Sequence, residues 1–474
     1  MSNTSTITLY TDERTYDLTK YTTAFSLQEM ITAPYHQAQI TLQIPLHEQS
    51  EALPYYEDTG AIDLDSWLVV SEWIEHEGVE RAVFVGRLSA VSYGIEALSD
   101  PDLAGLIAAP EISLTAGSFI APLTESQVYL SGKPLLSGHI YELKAFGRLL
   151  KRVLSRVLRS DVGSVLRALY NEFSPHYRLP KTLAGGAKLS ALPVVHSQTR
   201  AQQFAPERAP LFRSVFGRAI NAAQVRPTGA PWSILSSFFD VDPSLVELFP
   251  SLEPASVSGE VSSFLGATPV IVYRLKPFIF EALSSQGVDP NAPAQQEHAA
   301  RLARIITADE IIRLGVSANA QDRVNSVYVD TPFNESRGVE AFGLVGTPTL
   351  DREDIERAGL RMYRGQWPFF PQGRASKAGS LNREVQYTIE IVDRLTRGAH
   401  RYLQGTANTA QRLDIRAGMW VKFETPAHDE TRYFCAYVET ISHDTRALSG
   451  GVITRRSTLS LTRGFYTTGE PVHD

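Results

Sequence analysis

Three stretches near the N-terminus recur in the same order near the C-terminus, and no other feature of the sequence restricts its folding as much. Long-range self-similarity means that one structural unit is used twice, so the fold has to hold two cousins. The first pair is residues 25–45, FSLQEMITAPYHQAQITLQIP, and residues 312–332, IRLGVSANAQDRVNSVYVDTP. Aligned without gaps, Phe25 meets Ile312, Leu27 meets Leu314, Ile40 meets Val327, Leu42 meets Val329 and Pro45 meets Pro332. Apolar residues alternate in both copies, which is the period of a half-buried strand. The second pair starts at Trp67 and Trp420, and places Phe84 on Tyr437, Val85 on Val438, Leu88 on Ile441 and Ser89 on Ser442. Each copy reads as two strands joined by a polar turn, at residues 75–78 and 428–431. The third pair is SLTAG at residues 113–117 and SLTRG at residues 460–464. Two β-rich segments share some alternation by chance, but three blocks in one order favour duplication.

The copies differ mainly in what separates the first block from the second. Trp67 follows Pro45 closely, whereas Trp420 lies far beyond Pro332. Part of the surplus, DREDIERAGLR at residues 351–361, begins with acids and ends with a base, the charge order that suits a helix dipole. Residues 383–403, with Val385, Ile389, Val392, Leu395 and Tyr402, also read as helical. The expected fold class is therefore α+β and mainly β. Two similar antiparallel β-barrel domains bracket a mixed middle region, and the second barrel carries a helical insertion. The expected boundaries are 1–130 for the first barrel, 131–300 for the middle domain, 301–345 with 405–474 for the second barrel, and 346–404 for the insertion. Closing each sheet would remove exposed edges that otherwise aggregate.

The middle region holds the strongest helical pattern, within residues 139–173. Leu143, Phe146, Leu149, Leu150, Val153, Leu154, Val157 and Leu158 form one apolar face. Lys144, Arg148, Lys151, Arg152, Arg156 and Arg159 make the helix at 143–159 basic. Such a helix can lie on a membrane or bind an acidic partner. The plainer alternative, a core-facing helix with a solvated or paired basic side, suits a chain with no lipid anchor. Residues 176–210 read as a loop or extended arm. Pro231 fits the first position of a helix running through PWSILSSFF, residues 270–275 read as a strand, and residues 282–296 as a polar linker.

Composition narrows the function classes. At 474 residues the chain is long enough for two to four domains. Hydrophobic residues make up 43% and charged residues 20%, which excludes wholesale disorder. A formal net charge of −7 argues against a general nucleic-acid binder. Cys435 is the only cysteine, so an intrachain disulfide and a cysteine-based zinc site are both excluded. The opening residues show no signal peptide and no apolar run approaches the ~20 residues that span a bilayer. The expectation is a soluble protein made in a reducing cytoplasm, with no membrane anchor.

Catalytic signatures are missing. The sequence contains no G-x-S-x-G, S-x-x-K, H-E-x-x-H or G-x-G-x-x-G pattern and no phosphate-binding loop of the Walker type. The eleven histidines are scattered. His76 and the His443–Asp444 pair read as surface histidines, because adjacent strand residues point to opposite faces. Cys435, within the apolar run FCAYV, reads as a small buried hydrophobe. The 52 acidic residues offer too many pairings for a glycosidase-like carboxylate pair to be singled out. Trp67, Trp73, Trp232, Trp367 and Trp420 could stack on sugars, although core or interface use explains them better. The expectation is no enzyme, with no catalytic, cofactor-binding or metal-binding residues and no cofactor.

Several segments together resemble the tail or baseplate hub proteins of tailed phages, relatives of the N-terminal hub part of the valine-glycine repeat spike proteins of type VI secretion. They are VFVGRLSAVSYG at 83–94, then PWSILSSFF at 231–239, VELF at 246–249 and VYRLKPF at 272–278. RVNSVYVD at 323–330, Gly359-Leu360-Arg361, LDIRAGMWVKF at 413–423 and YVETISHD at 437–444 complete the set. Their order, spanning about residues 20 to 466, carries the resemblance. The basic helix with its following loop looks like an expansion of the middle region. No counterpart of the family's fused lysozyme or peptidase modules is present.

The resemblance implies two tail-tube-like barrels per chain and a homotrimer. Three chains would present a pseudo-sixfold ring to a hexameric tail tube and threefold symmetry to a spike. The implied partners are the tail tube protein, the spike protein, the tape-measure protein and neighbouring baseplate proteins. DNA would pass through the lumen without specific binding, helped by an acidic lining. The implied location is the virion, after synthesis in the host cytoplasm. The alternatives are a hexameric tail tube or distal tail component, and a cell-wall hydrolase acting during penetration.

Overall fold

The computed structural model describes residues 5–32, 36–44, 62–74, 79–94, 111–125, 128–129, 178–183, 194–197, 228–230, 232–233, 246–254, 266–275, 299–300, 302–330, 348–366, 389, 393, 396, 399–426, 431–447 and 453–468. The first unit contains β1 (Ser5–Tyr10), β2 (Thr15–Asp17), β3 (Thr22–Met30), β4 (Gln37–Gln43), β5 (Trp67–Ile74), β6 (Val79–Gly94) and β7 (Glu111–Ser118), followed by the short helix α1 (Ala121–Glu125). Next come β8 (Val128–Tyr129), β9 (Val194–Ser197), β10 (Thr228–Gly229), β11 (Val246–Pro254) and β12 (Ala267–Leu275). The second unit starts with β13 (Arg304–Ile306) and β14 (Ile311–Ser317). β15 (Ser326–Asp330), β16 (Thr349–Leu350), α2 (Arg352–Ala358) and β17 (Met362–Gln366) follow. The chain then returns through β18 (Leu403–Ala410), β19 (Trp420–Pro426), β20 (Thr431–Ala447) and β21 (Ile453–Thr468).

The molecule is mainly β, and the duplication is written in its strand order. The first unit runs β3-β4-β7-β6-β5 across the sheet; the second runs β14-β18-β21-β20-β19. Cross-strand registers match residue by residue. Phe25 pairs with Ile40, Ile40 with Leu114, Leu114 with Val91, and Val70 with Phe84. Leu314 pairs likewise with Ala407, Ala407 with Leu459, Leu459 with Ile441, and Phe423 with Phe434. Both units even carry the same irregularity. A three-residue 3-10 turn precedes β3 and β14 alike, and a bulge follows the first residue of each, at Thr22/Ala24 and at Ile311/Arg313. A bulge is a single extra residue that re-aims a strand, so its recurrence in one slot marks common design.

These registers correct several of the pairings read from sequence. The counterparts of Ile40 and Leu42 are Ala407 and Thr409 on β18, not Val327 and Val329. β15 instead joins β16 and β17 in a separate three-stranded sheet. Both segments alternate, and alternation alone cannot say which of two strands lies beside β14. Phe25 corresponds to Leu314 and not to Ile312, a slip of two that keeps the same face inward and so leaves the pattern unchanged. Phe84 corresponds to Phe434 because β19 is a residue shorter than β5 and the β5–β6 pairing has a register shift at Val70/Ser71 that β19–β20 lacks. Leu114 corresponds to Leu459 because a further bulge, at Arg463 with φ 54°, shifts β21.

Barrel closure is not found: among the described residues neither unit closes on itself, β20 and β3 pair with each other, and strands of both units form one 13-stranded sheet. Of the edges that closure would have satisfied, those of β20 and β3 are satisfied by each other. β13 departs from the antiparallel pattern, running parallel to β19.

The core of the first unit gathers Ile7, Leu9, Leu18, Phe25, Leu27, Ile40, Leu68, Phe84, Leu88 and Leu114 on one face. Close backbone packing there requires glycine at position 86, where a Cβ would collide with the Gly117 carbonyl and the Phe84 ring. α2 begins at the expected residues. The Asp351 side chain caps it by accepting from the Asp354 N–H at 3.1 Å, and Gly359 ends it at φ 75°. Two strands, β16 and β17, flank that helix, so the described part of 346–404 is mixed rather than purely helical. Ile389, Asp393 and Thr396 are helical. The expected strand at 270–275 is the second half of β12, which packs between β11 and β9. The basic helix at 143–159 and the linker at 282–296 lie outside the described residues.

Candidate functional site

The place where β20 meets β3 is the best-built polar site among the described residues, and it joins the two units. Residues 440–446 of β20 run antiparallel to residues 24–30 of β3, with Thr440 opposite Met30 and Arg446 opposite Ala24. The Ile31 N–H continues the ladder to the Glu439 carbonyl at 3.1 Å. Alternation turns Phe25, Leu27 and Glu29 of β3 and Ile441 and His443 of β20 into the interior, where all five are buried.

Two ionisable side chains are set in this interior. The Arg416 guanidinium, from the loop before β19, donates through Nη2 to Glu29 Oε1 at 2.8 Å and through Nη1 to the Val83 carbonyl at 2.8 Å. The Ala417 N–H reaches Glu29 Oε2 at 3.4 Å. Burial pushes the Glu29 carboxyl above the usual carboxylate range, while Arg416 and the Ala417 N–H pull it back. Arg416 thus ties β3 and β6 of the first unit to the second. From the same loop Leu413 enters the first unit's apolar core.

Two histidines lie nearby. His443 is fully buried, and its Nδ1 is 2.8 Å from the Ser457 hydroxyl. This corrects the sequence reading of His443 as a surface residue: its ring faces the interior, beside Leu27 of β3 and within reach of the loop carrying Asp414, Ile415 and Arg416, which only the pairing of distant segments reveals. Burial, reinforced by Arg416, lowers the pKa of His443 to about 3. His36 is held at about 3 for the same two reasons. Both rings are neutral at ordinary pH. Neither Nε2 has a hydrogen-bond partner among the described residues.

A second buried contact ties the middle region to the same strand, with the Tyr437 hydroxyl donating to Glu247 Oε1 at 2.6 Å. The other face of the sheet is different in kind. Ser26, Gln28, Gln39, Thr41, Ser113, Thr115, Ser442, Thr406, Asn408 and Ser460 line it on alternate strand positions. Its described charges include the acids Glu111 and Asp444 and the exposed arginines Arg446, Arg456 and Arg313. A polar groove of about 610 Å³ crosses the junction on this face.

The remaining candidates from the sequence separate clearly. Cys435 is buried, and burial raises its thiol pKa to about 12, so it is no nucleophile at neutral pH. Trp67, Trp232 and Trp420 are buried, Trp73 is exposed, and Trp367 and His76 lie outside the described residues. Among the described residues no three His, Cys, Asp or Glu side chains converge as a metal site. No described helix is long and apolar enough to cross a membrane. Sequence reasoning missed Glu29 and Arg416; the one available signal was a lone acid at an inward position of an alternating strand.

No protein-family model matches the chain, and no curated protein sequence does. Among solved structures it is similar to the tail protein from Neisseria meningitidis MC58, with 11% identity over 97% of this chain and 96% of that one and a TM-score of 0.46. It is similar to the 43 kDa tail protein of prophage MuSo2 from Shewanella oneidensis, with 9% identity over 98% and 97% of the two chains and a TM-score of 0.42. It is also similar to a chain of the Francisella PdpA-VgrG complex, with 8% identity over 97% of this chain and 58% of that one and a TM-score of 0.38.

Proposed function

We propose that this chain is a structural hub of a phage-type tail or baseplate, in which three copies close a ring of six related β units. The observation that carries the reading is the β20–β3 junction, because each chain holds one such junction and the two halves of another. The counterpart of β3 is β14, whose outer edge has no strand against it among the described residues. The counterpart of residues 440–446 in β20 begins at Ala90 in β6, beyond the reach of β5. Their side chains support the same conclusion. Leu314 and Val316 are half-buried where Phe25 and Leu27 are buried, and Tyr93 is 42% exposed where His443 is covered.

Joining these edges between chains in the register of the internal junction sets Val91 opposite Ala318, Ser92 opposite Ser317 and Tyr93 opposite Val316. Such a contact is head-to-tail, and it forms a closed ring only when the rotation returns to its start. Internal and intermolecular junctions then alternate, giving six similar units with threefold symmetry. The number three is that implied by the sequence resemblance. A ring of this kind suits an adaptor between a hexameric tail tube and a threefold spike. Its further neighbours would be the tape-measure protein and other baseplate proteins in a virion, and its role structural, not enzymatic.

The uncovered polar face would line the central passage for the genome. Hydroxyls and amides dominate it, in place of the acidic lining suggested by the net charge. Its described arginines, Arg313, Arg446 and Arg456, are set against Glu111 and Asp444, so the face carries little net charge and release of counterions would drive adhesion only weakly. Cysteines at Ser92 and Ser317 test the ring, since the native Cys435 is buried. Oxidation is expected to link up to three chains, and native mass measurement to give three copies. Six copies would favour a tube or distal tail component instead, and a solitary chain would overturn the ring.

A further inference from the structure

We infer that the buried Glu29–Arg416 pair selects which edges join, so that first units sit only beside second units around the ring. This rests on the ring proposed above. The two halves of the pair come from different units, and neither has a charged equivalent of the same sign in the other unit. Arg416 precedes Trp420 as Asp63 precedes Trp67. The correspondence is anchored by matching hydrogen bonds: Val438 N–H to the Met419 carbonyl at 2.9 Å, and Leu88 N–H to the Ser66 carbonyl at 3.0 Å. On the strand side, the register that places Phe25 on Leu314 places Glu29 on Ala318.

The four possible edge combinations are therefore unequal. The internal junction, second unit against β3, sets Arg416 on Glu29 with both side chains under one-tenth exposed. The intermolecular junction, first unit against β14, sets Asp63 near Ala318. That arrangement is tolerable, because the Asp63 carboxylate already accepts the Asp65 N–H of its own loop at 2.9 Å and a methyl group leaves it room. A junction between two first units would bury Glu29 beside Asp63, two acids without a base. A junction between two second units would bury Arg416 against Ala318 with no acid. A buried charge without a partner is strongly unfavourable, whereas a satisfied pair is often close to neutral beside well-packed apolar residues. The pair thus adds less to the strength of the correct junction than it subtracts from the wrong ones.

Two sets of variants test this by native mass measurement on the purified full chain. The apolar replacement Glu29→Met with Arg416→Met removes selection while filling the space. It is expected to keep the wild-type circular dichroism and raise the share of complexes other than three copies at least tenfold. A folded double variant that still gives only three copies overturns the inference. Because that variant alters the interior, surface variants supply an independent measurement. Ala318→Glu faces Asp63 across the intermolecular junction and is expected to weaken assembly at least tenfold. Adding Asp63→Arg rebuilds the Arg–Glu pair there and is expected to restore it. Assembly unaffected by Ala318→Glu, or not restored by Asp63→Arg, also overturns the inference. A wild-type chain that is not three copies counts instead against the ring itself.

Discussion

β3 and β14 occupy the same slot in two copies of one unit, yet they live in different surroundings. β3 has β4 on one side and β20 on the other, and its alternate residues Phe25, Leu27 and Glu29 are buried. Among the described residues β14 has only β18, on one side. Leu314 and Val316 are half-buried, and Ile312 is 54% exposed. Since the two strands share their preceding turn, their bulge and their register, the difference does not come from local design. It comes from the neighbour that one strand has and the other lacks. Long open edges of this sort are usually blunted by charge, proline or cover. Here only Arg313 interrupts the edge, which is what an edge intended for pairing requires.

The largest expected contrast is in stability. Leu27→Ala should destabilise the isolated chain by about 2–5 kcal/mol, as removal of a buried leucine does. Val316→Ala should cost less than about 1 kcal/mol in the isolated chain, because part of its surface is already wet. Chemical denaturation of dilute and assembled protein would sharpen the comparison: the Val316→Ala penalty should rise on assembly and the Leu27→Ala penalty should not. Equal penalties in both states would break the analogy between the two strands.

A second contrast is in pH response. His36 and His443 belong to the filled junction, and their folded-state pKa values of about 3 lie below the ordinary value of 6.5. The unfolded chain therefore takes up protons first. Their contribution to stability is complete above about pH 6.5 and is lost as pH falls towards 3. Arg416 reinforces this for both rings, while Asp414 opposes it at His443. The unfolding midpoint should drop across that window, and His443→Asn should flatten part of the drop. A profile unchanged by the substitution would remove His443 from the account.

The smallest effect concerns the polar face. Gln39→Arg with Thr406→Arg, one residue from each unit, should change stability by no more than about 0.5 kcal/mol per site. The same variant should bind DNA at low salt more tightly than the wild-type chain, by fluorescence anisotropy. Failure to gain binding would argue that this face does not line a passage reachable by DNA.

Much of the first level of organisation was legible in the residues. The paired tryptophans Trp67 and Trp420 do open equivalent strands, α2 starts where its acids predict, and β12 contains the expected strand. The partner of β14 was not legible, because β15 and β18 alternate equally well and period-two patterns are blind to slips of two. His443 read as a surface residue for a related reason: its own strand says which face it takes, but not what lies over that face.

By itself the sequence determined that a β unit is present twice, since periodicity and repeated order are properties of the chain and need no partner. Only the tertiary structure decided that β20 lies against β3 and that Glu29 meets Arg416. Strand pairing between segments hundreds of residues apart is set by which edges remain unsatisfied once each unit has formed. No local pattern encodes that.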